Sequence, residues 1–363
     1  WSPGLTKLNE AVYTNLPPGN YSFLVRAVNN DGLVNKEPVR YKFTVKPPFW
    51  QTAVFYAIVL VFIVFSIYGF DKVRTRNLKQ QKKELEEKVE KRTVELAIKN
   101  EELAQRNKEV TDSIRYAKRL QDAMMAPRSE IKKHLPDSFV FYKPKDIVSG
   151  DFYYFRHFKS EKGERVLIAA VDCTGHGVPG AFMSVITNDL LDEAVRDYEF
   201  ASSGEILDRL NKLMNDKLQQ TFGEGRIRDG VDIALCFLDL KTKELQYAGA
   251  FNPLYHFRDN VFTELKPDKI AIGSWSDDPS LRYATQKLQL MPGDTIYLFS
   301  DGYADQFGGE QGKKFKPAQL RALLLSAQEK QMDQQARLLE TTIETWRGSL
   351  EQVDDMLLIG VRI

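Results

Sequence analysis

Cysteine is nearly absent from this 363-residue chain: Cys173 and Cys236 are the whole complement, each inside an apolar strand pattern. Such a pair argues against a disulfide scaffold in the part of the chain where both lie and for a reducing compartment. Charge has almost no sign, with 51 Lys and Arg against 50 Asp and Glu. That balance excludes the global basic bias of a nucleic-acid binder, so no nucleic-acid partner is expected. The chain opens at Trp1 with neither a methionine nor a signal peptide, in sequence that already reads as strand, so a fragment or a processed form is expected. The length is too great for one ordinary core and suggests two or three domains.

One segment is without charge altogether. From Phe49 to Phe70 the sequence FWQTAVFYAIVLVFIVFSIYGF contains no Asp, Glu, Lys or Arg. At about 1.5 Å of rise per residue it spans a hydrocarbon core of roughly 30 Å, and Trp50, Tyr56 and Tyr68 lie towards its ends, where interfacial aromatics are favoured. A transmembrane helix over 49–70 is expected, because a buried core helix of this length nearly always keeps a polar stripe. Lys72, Arg74, Arg76, Lys79, Lys82 and Lys83 follow it, denser than the basic residues before it. The positive-inside rule then puts residues 1–48 outside and everything after 71 in the cytoplasm, a single-pass arrangement.

Residues 1–48 read as β structure. GNYSFLVRAVNNDG alternates Tyr21, Phe23, Val25 and Ala27 with polar partners and turns at Asn30, Asp31 and Gly32, and VRYKFTV follows as a second strand. Two or three strands do not make an independent core, so a piece of a larger sandwich is expected. The segment resembles the Y_Y_Y-type β-sandwich that joins periplasmic sensor propellers to a membrane helix in bacterial receptors, which implies a bacterial inner membrane with the N-terminus in the periplasm.

Beyond the membrane segment, residues 71–127 read as a signalling helix. Val89, Leu96, Leu103 and Val110 recur by sevens, with Leu78 and Leu85 in the companion core position. Arg92, Lys99 and Arg106 occupy that position later and weaken the seam. A solvated single helix laced with Glu and Lys pairs remains one reading. The favoured one is a parallel homodimer through a coiled coil, since a membrane anchor confines two copies to one plane. The helix must stop before Pro127.

Residues 137–363 carry the chemistry. KPKDIVSGDFYYFRHF sets Asp151 before a strand from Phe152 to Phe158, and RVLIAAVDCTGHG sets Asp172 after a strand from Val166 to Val171. DTIYLFSDGYAD sets Asp301 after a strand from Thr295 to Phe299, and QVDDMLLIGVRI sets Asp354 before the last strand. If those strands share one antiparallel sandwich, the acids meet at one rim. Carboxylates that close repel unless a cation neutralises them, and an all-oxygen set without Cys or His spacing suits Mg²⁺ or Mn²⁺ rather than structural zinc. Ser202 and Glu205 form a capping box, and Ile206, Leu210, Leu213 and Met214 line one face of the helix that follows.

These motifs, in this order and across the whole of 137–363, resemble the SpoIIE-type branch of the PPM superfamily of metal-dependent serine/threonine protein phosphatases. The resemblance implies an α+β fold, the PPM-type α-β-β-α sandwich of two antiparallel sheets flanked by helices, preceded by the β-sandwich fragment, the membrane helix and the coiled coil. It implies two Mn²⁺ or Mg²⁺ ions at the rim. Asp172 would bridge both, the main-chain carbonyl of Cys173 would ligate one, and Asp151 would serve the second directly or through water. Asp301 and Asp354 would complete the other site, with Asp355 hydrogen-bonding behind them. AGAFNPLY matches the family's Ala-Gly-x-Asn-Pro turn, with Asn252 and Pro253 shaping the rim. The implied partner is a phosphoprotein, a STAS-domain anti-sigma antagonist or its equivalent.

Ser149 stands where a Gly-Gly-Asp turn usually has glycine, and only Lys143 and Lys145 lie near the position where eukaryotic relatives hold phosphate with arginine. His176 has two open readings, as the general acid for the leaving oxygen or as a turn histidine that orients a ligand aspartate. His134, His157 and His256 fall in linker or strand patterns and read as structural. Two other functions compete. SGDFYYF is superficially like the Gly-Gly-Asp-Glu-Phe turn of diguanylate cyclases, but Phe152 replaces the glutamate and the Asp301 and Asp354 motifs would have no role. A pseudophosphatase binding module should have lost a metal ligand, and none is lost. No Ser/His or Cys/His pair surrounds the motifs, which fits hydrolysis by a metal-activated water.

Overall fold

A computed structural model describes residues 10–160, 163–196, 201–222, 230–273 and 282–363. The chain divides into two compact units, Trp1–Leu103 and Ala104–Ile363, and the division falls within one long helix.

In the first unit, β1 (Gly19–Val25) and β2 (Val39–Val45) pair antiparallel from Gly19 opposite Val45 to Val25 opposite Val39. Tyr21 and Phe43 are directly opposed and stack with centroids 5.6 Å apart, the kind of cross-strand aromatic pair that pins register. The Asn29 side chain accepts the N–H groups of Asp31 and Leu33 and closes the turn. A 3₁₀ turn occupies Phe49–Gln51, and the helix α1 begins at Ala53 and runs to Met124. It therefore starts a few residues inside the uncharged run. Pro48 is extended, and the Thr52 hydroxyl, bonded to the Phe49 carbonyl, caps the Phe55 N–H. Among the described residues, this is the one helix long and apolar enough to cross a membrane.

The second unit stacks two antiparallel sheets. After α2 (Arg128–His134) come β3 (Ser138–Lys143), β4 (Phe152–Ser160), β5 (Gly163–Cys173), α3 (Gly177–Arg196) and α4 (Ser203–Phe222). β6 (Val231–Asp239), β7 (Glu244–Ala250), β8 (Leu254–Arg258), β9 (Val261–Leu265), β10 (Gln286–Gln289) and β11 (Thr295–Phe299) follow. The chain closes with α5 (Gly302–Asp305), the short pair β12 (Phe307–Gly308) and β13 (Lys313–Lys314), α6 (Pro317–Ser326), α7 (Met332–Arg347) and β14 (Met356–Arg362). One sheet has the order β10-β7-β6-β5-β4 and the other β3-β14-β11-β8-β9. Helices α3 and α4 lie against the first, and α5 and α7 against the second.

Strand composition explains the layering. Ile296 and Leu298 of β11, with Leu357, Ile359 and Val361 of β14, join the core between the sheets. Their alternates Tyr297, Phe299, Met356 and Leu358 pack outward on Leu320, Leu324, Leu339 and Ile343 of α6 and α7. Both faces of each strand are covered, so these segments are apolar at every position rather than at every second one. A fully buried Leu of this kind contributes about 1.5–3 kcal/mol through burial alone. The expected capping box forms: Ser202 N–H and Oγ both donate to Glu205 Oε2 at 2.8 Å. Ile206, Leu210 and Met214 are buried, and Leu213 is partly so.

Candidate active site

Strand pairing brings the acids to one end of the sandwich. Phe152 opposes Val171, so Asp151 at the start of β4 lies beside Asp172 at the end of β5. Phe299 opposes Leu358, so Asp301 at the end of β11 lies beside Asp354 at the start of β14. β5 does not stop at Val171: its ladder with β6 continues, placing Asp172 opposite Asp232 and Cys173 opposite Val231. Asp232 is a fifth acid of the rim that motif reading passes over.

The two sheets are tied together at the rim. Ser300 Oγ donates to Asp151 Oδ2 at 2.5 Å and accepts the Leu357 N–H at 3.1 Å. A backbone hydrogen bond from Asp301 reaches Asp172. Asp355 is buried, and its two carboxylate oxygens accept the N–H groups of Lys145 at 2.7 Å and Gly150 at 2.8 Å. The neighbouring Asp354 is half-buried, and its Oδ1 accepts the Asp355 N–H at 2.8 Å. The doublet is thus divided, one carboxylate bracing the Lys145–Gly150 turn and the other left nearer the rim.

Close packing dictates the glycines here. A Cβ on Gly150 would sit 2.3 Å from the Gly175 carbonyl oxygen and 2.9 Å from that of Cys173. One on Gly302 would sit 2.0 Å from the Asp355 carbonyl oxygen. The SGD, CTGHG, SDG and DD segments therefore touch backbone to backbone, and the Cys173 carbonyl faces the turn that carries Asp151. The Cys173 side chain points away, buried, with Sγ 3.6 Å from Thr187 Oγ1.

Electrostatics register the crowding. Burial raises the Asp151 carboxyl well above its ordinary value, and Asp172, Asp355 and Asp354 push it further. Burial likewise raises Asp172, helped by Asp301, Asp232 and Asp354. Desolvation, then Asp305 and Asp354, push Asp301 up to about 6, and desolvation with Asp301 does the same for Asp232. Acids at strand tips that hold each other's protons this way form a site built for positive charge.

His176 Nδ1 lies 2.8 Å from Asp146 Oδ2. The carboxylate only accepts, so Nδ1 carries the hydrogen, and Nε2 lies 3.0 Å from Lys145 Nζ. Lys143 is engaged by Glu344 of α7, leaving Lys145 as the lysine of that segment beside His176. Asn252 lies in the β7–β8 turn, where its main-chain oxygen accepts the Tyr247 hydroxyl at 2.7 Å. Its buried Nδ2 has no hydrogen-bond partner, and among the described residues no hydrogen bond joins it to the acids. Gln121, near the end of α1, is buried and bonds Ser149 of the SGD turn and Ser184 of α3.

The donor set fits hard divalent cations: carboxylates and a main-chain carbonyl, with no thiolate or imidazole among them. Among the described residues, no three acids of the rim bring one carboxylate oxygen each within 4.8 Å of one another.

Residues 162–363 match the family described as Stage II sporulation protein E (SpoIIE), more than half of the chain. The chain belongs to the SpoIIE family. Residues 5–46 match the Y_Y_Y domain. The SiaA-PP2C domain of Pseudomonas aeruginosa is similar to this SpoIIE-family chain at 31% identity and a TM-score of 0.63, over 71% of this chain and 98% of that one. The PP2C phosphatase domain of SpoIIE from Bacillus subtilis, solved with a fragment of its regulatory domain, shares the fold at 18% identity and a TM-score of 0.51. That match covers 62% of this chain and 63% of the other. No curated protein sequence matches. As a SpoIIE-family member with the PPM sandwich, the protein is a metal-dependent serine/threonine protein phosphatase.

Proposed function

We propose that the chain is a membrane-anchored signalling phosphatase that removes phosphate from phosphoserine or phosphothreonine of a partner protein, a STAS-domain anti-sigma antagonist or its equivalent. The observation that carries this reading is the convergence of Asp151, Asp172, Asp232, Asp301 and Asp354, whose mutual repulsion asks for cations. In this reading Asp172, Asp151 and the Cys173 carbonyl, together with Asp301 and Asp354, would hold two Mn²⁺ or Mg²⁺ ions. When bound, such ions activate a water for attack on phosphorus and neutralise charge on the phosphoryl oxygens.

The chain's own groups do the rest. Ser300 fixes the Asp151 carboxylate, and Asp355 holds the loop between Lys145 and Gly150 against the rim. Asp146 holds His176 Nδ1–H and the Lys145 ammonium donates to Nε2, so His176 would give a proton to the departing serine or threonine oxygen only with a second proton on Nε2 in place of that contact. Lys145 Nζ beside it supplies positive charge for a phosphate.

Residues 49–70 cross the membrane with 1–48 outside, and 71–127 carry the signal to the phosphatase domain at 137–363. The exposed Val89, Leu96, Leu103 and Val110, repeating by sevens on α1, support a parallel dimer. The test is phosphoproteomics of cells carrying wild-type protein or Asp172→Asn. One or a few phosphoserine or phosphothreonine sites on a STAS-type protein should accumulate in the variant. An unchanged phosphoproteome would overturn the substrate assignment.

A further inference from the structure

His134 ends α2, while His157 on β4 and Glu164 on β5 belong to the neighbouring hairpin. Each offers a ligand atom, and the three atoms lie within 4.8 Å of one another. Among the described residues, no other group of three His, Cys, Asp or Glu side chains converges so closely. The two imidazole rings stack with centroids 3.8 Å apart and planes 20° apart.

The sheet register explains how the group assembles. His157 opposes Val166 and Lys159 opposes Glu164, so His157 and Glu164 share one face of the β4–β5 ladder. Phe155, the previous residue on that face, is buried and lies 6.2 Å from the His134 ring. The apolar contact seats α2 on the sheet and sets its last residue over His157. Side-chain exposure is 10% for His134, 22% for His157 and 37% for Glu164, so the group opens to solvent through its carboxylate. Glu130 also touches His134, at 3.2 Å, but is itself paired with Lys133 at 3.5 Å. Glu164, 2.7 Å from His157 Nε2, is left as the carboxylate of the set.

We propose that His134, His157 and Glu164 form a second metal site, separate from the catalytic rim, for a borderline transition-metal ion of the Zn²⁺ type. Two imidazoles and one carboxylate form a donor set that prefers Zn²⁺, whereas the all-oxygen rim prefers Mg²⁺ or Mn²⁺. Small side-chain rotations replace each histidine–carboxylate hydrogen bond with a bond to the shared ion. The consequence is mechanical. Only residues 125–127 separate α1 from α2, and β4 starts directly after Asp151. An ion at this site would fasten the segment that follows the signalling helix to the strand that leads out of the catalytic turn.

The test uses the full chain in detergent, stripped of metal and then held in saturating Mg²⁺ so that the oxygen-rich rim is filled. Calorimetric titration with Zn²⁺ should find one ion per chain in the wild type and in Asp172→Asn alike. Affinity should fall by about 10-fold or more in Glu164→Gln, and binding should vanish in the His134→Gln, His157→Gln double variant. Co²⁺ added to the wild-type chain should give the intense visible absorption of a four- or five-coordinate site containing imidazole, a readout that needs no variant to fold. Zn²⁺ binding unchanged by Glu164→Gln and by the histidine changes would overturn the proposal. So would its loss in Asp172→Asn, or a wild-type Co²⁺ spectrum no different from that of the hexaaquo ion.

Discussion

Gln121 and Ser149 hold each other at two points: Gln121 Nε2 donates to the Ser149 carbonyl at 2.6 Å, and the Ser149 N–H donates to Gln121 Oε1 at 3.1 Å. The same Nε2 donates to Ser184 Oγ of α3 at 2.9 Å. One buried amide therefore joins the end of α1, the turn that carries Asp151, and the helix that follows His176. A peptide group satisfied by a side chain from another element takes its position from that element, which makes this amide the physical link between the end of α1 and the rim.

Gln121→Leu should accordingly damage activity as well as stability. Leaving the Ser149 N–H and carbonyl buried without partners costs about 1–3 kcal/mol for each group. A loosened Asp151 turn should lower kcat by roughly 10- to 100-fold, since misplacement of about 1 Å carries such a penalty. Thermal melting and steady-state kinetics on the same preparation decide it. A lowered melting temperature with wild-type kcat would reduce Gln121 to packing.

The doublet Asp354 and Asp355 separates ligand from support within one dipeptide. Asp354→Asn should strip or weaken one metal and nearly eliminate turnover. Asp355→Asn keeps an oxygen for one of its two N–H partners and turns an amino group toward the other. It should cost about 1–3 kcal/mol of stability and roughly 10- to 100-fold in activity. Calorimetric Mn²⁺ titration of both variants is the measurement, and loss of metal from Asp355→Asn alone would shift the ligand register by one residue.

Stability of the metal-free protein should depend on pH in an unusual direction. The folded carboxyls of Asp232 and Asp301 titrate near 6, and those of Asp151 and Asp172 are raised as well, against about 3.9 in an unfolded chain. Between those values the native state binds more protons than the unfolded one, so stability falls as pH rises from about 4 through 6 and beyond. Asp294, held near 2 despite burial by Arg258, the Met291 N–H and His256, acts only below that window. In EDTA the melting temperature should drop between pH 5 and pH 7.5, and Mn²⁺ should restore it more at the higher pH. A chelated protein that grows steadily more stable over that interval would refute the assignment.

Most of the rim is legible in the sequence because its acids stand at the ends of apolar strands, beside a turn glycine or a second acid. Asp232 escapes because it lies just inside an apolar run, and only its pairing with Asp172 across the β5–β6 ladder gives it meaning. Gln121 is one amide in a long charged helix, and its partners lie 28 and 63 residues away. Ser300 reads as a turn residue until the two sheets stack and carry it to Asp151. The stacked histidines read as structural because one closes a short helix and the other lies mid-strand. Local pattern specifies the elements, and the partners supplied by layering are set by packing between segments far apart in the chain.

The most direct measurement is hydrolysis of p-nitrophenyl phosphate by the full chain in detergent, with Mn²⁺ or Mg²⁺, with EDTA, and with Asp172→Asn. Turnover should require the divalent ion, disappear in chelator and be abolished in the variant, because Asp172 stands where the acids of both sheets meet. Activity that survives in EDTA, or that Asp172→Asn retains, would contradict a metal-dependent phosphatase centred on this rim.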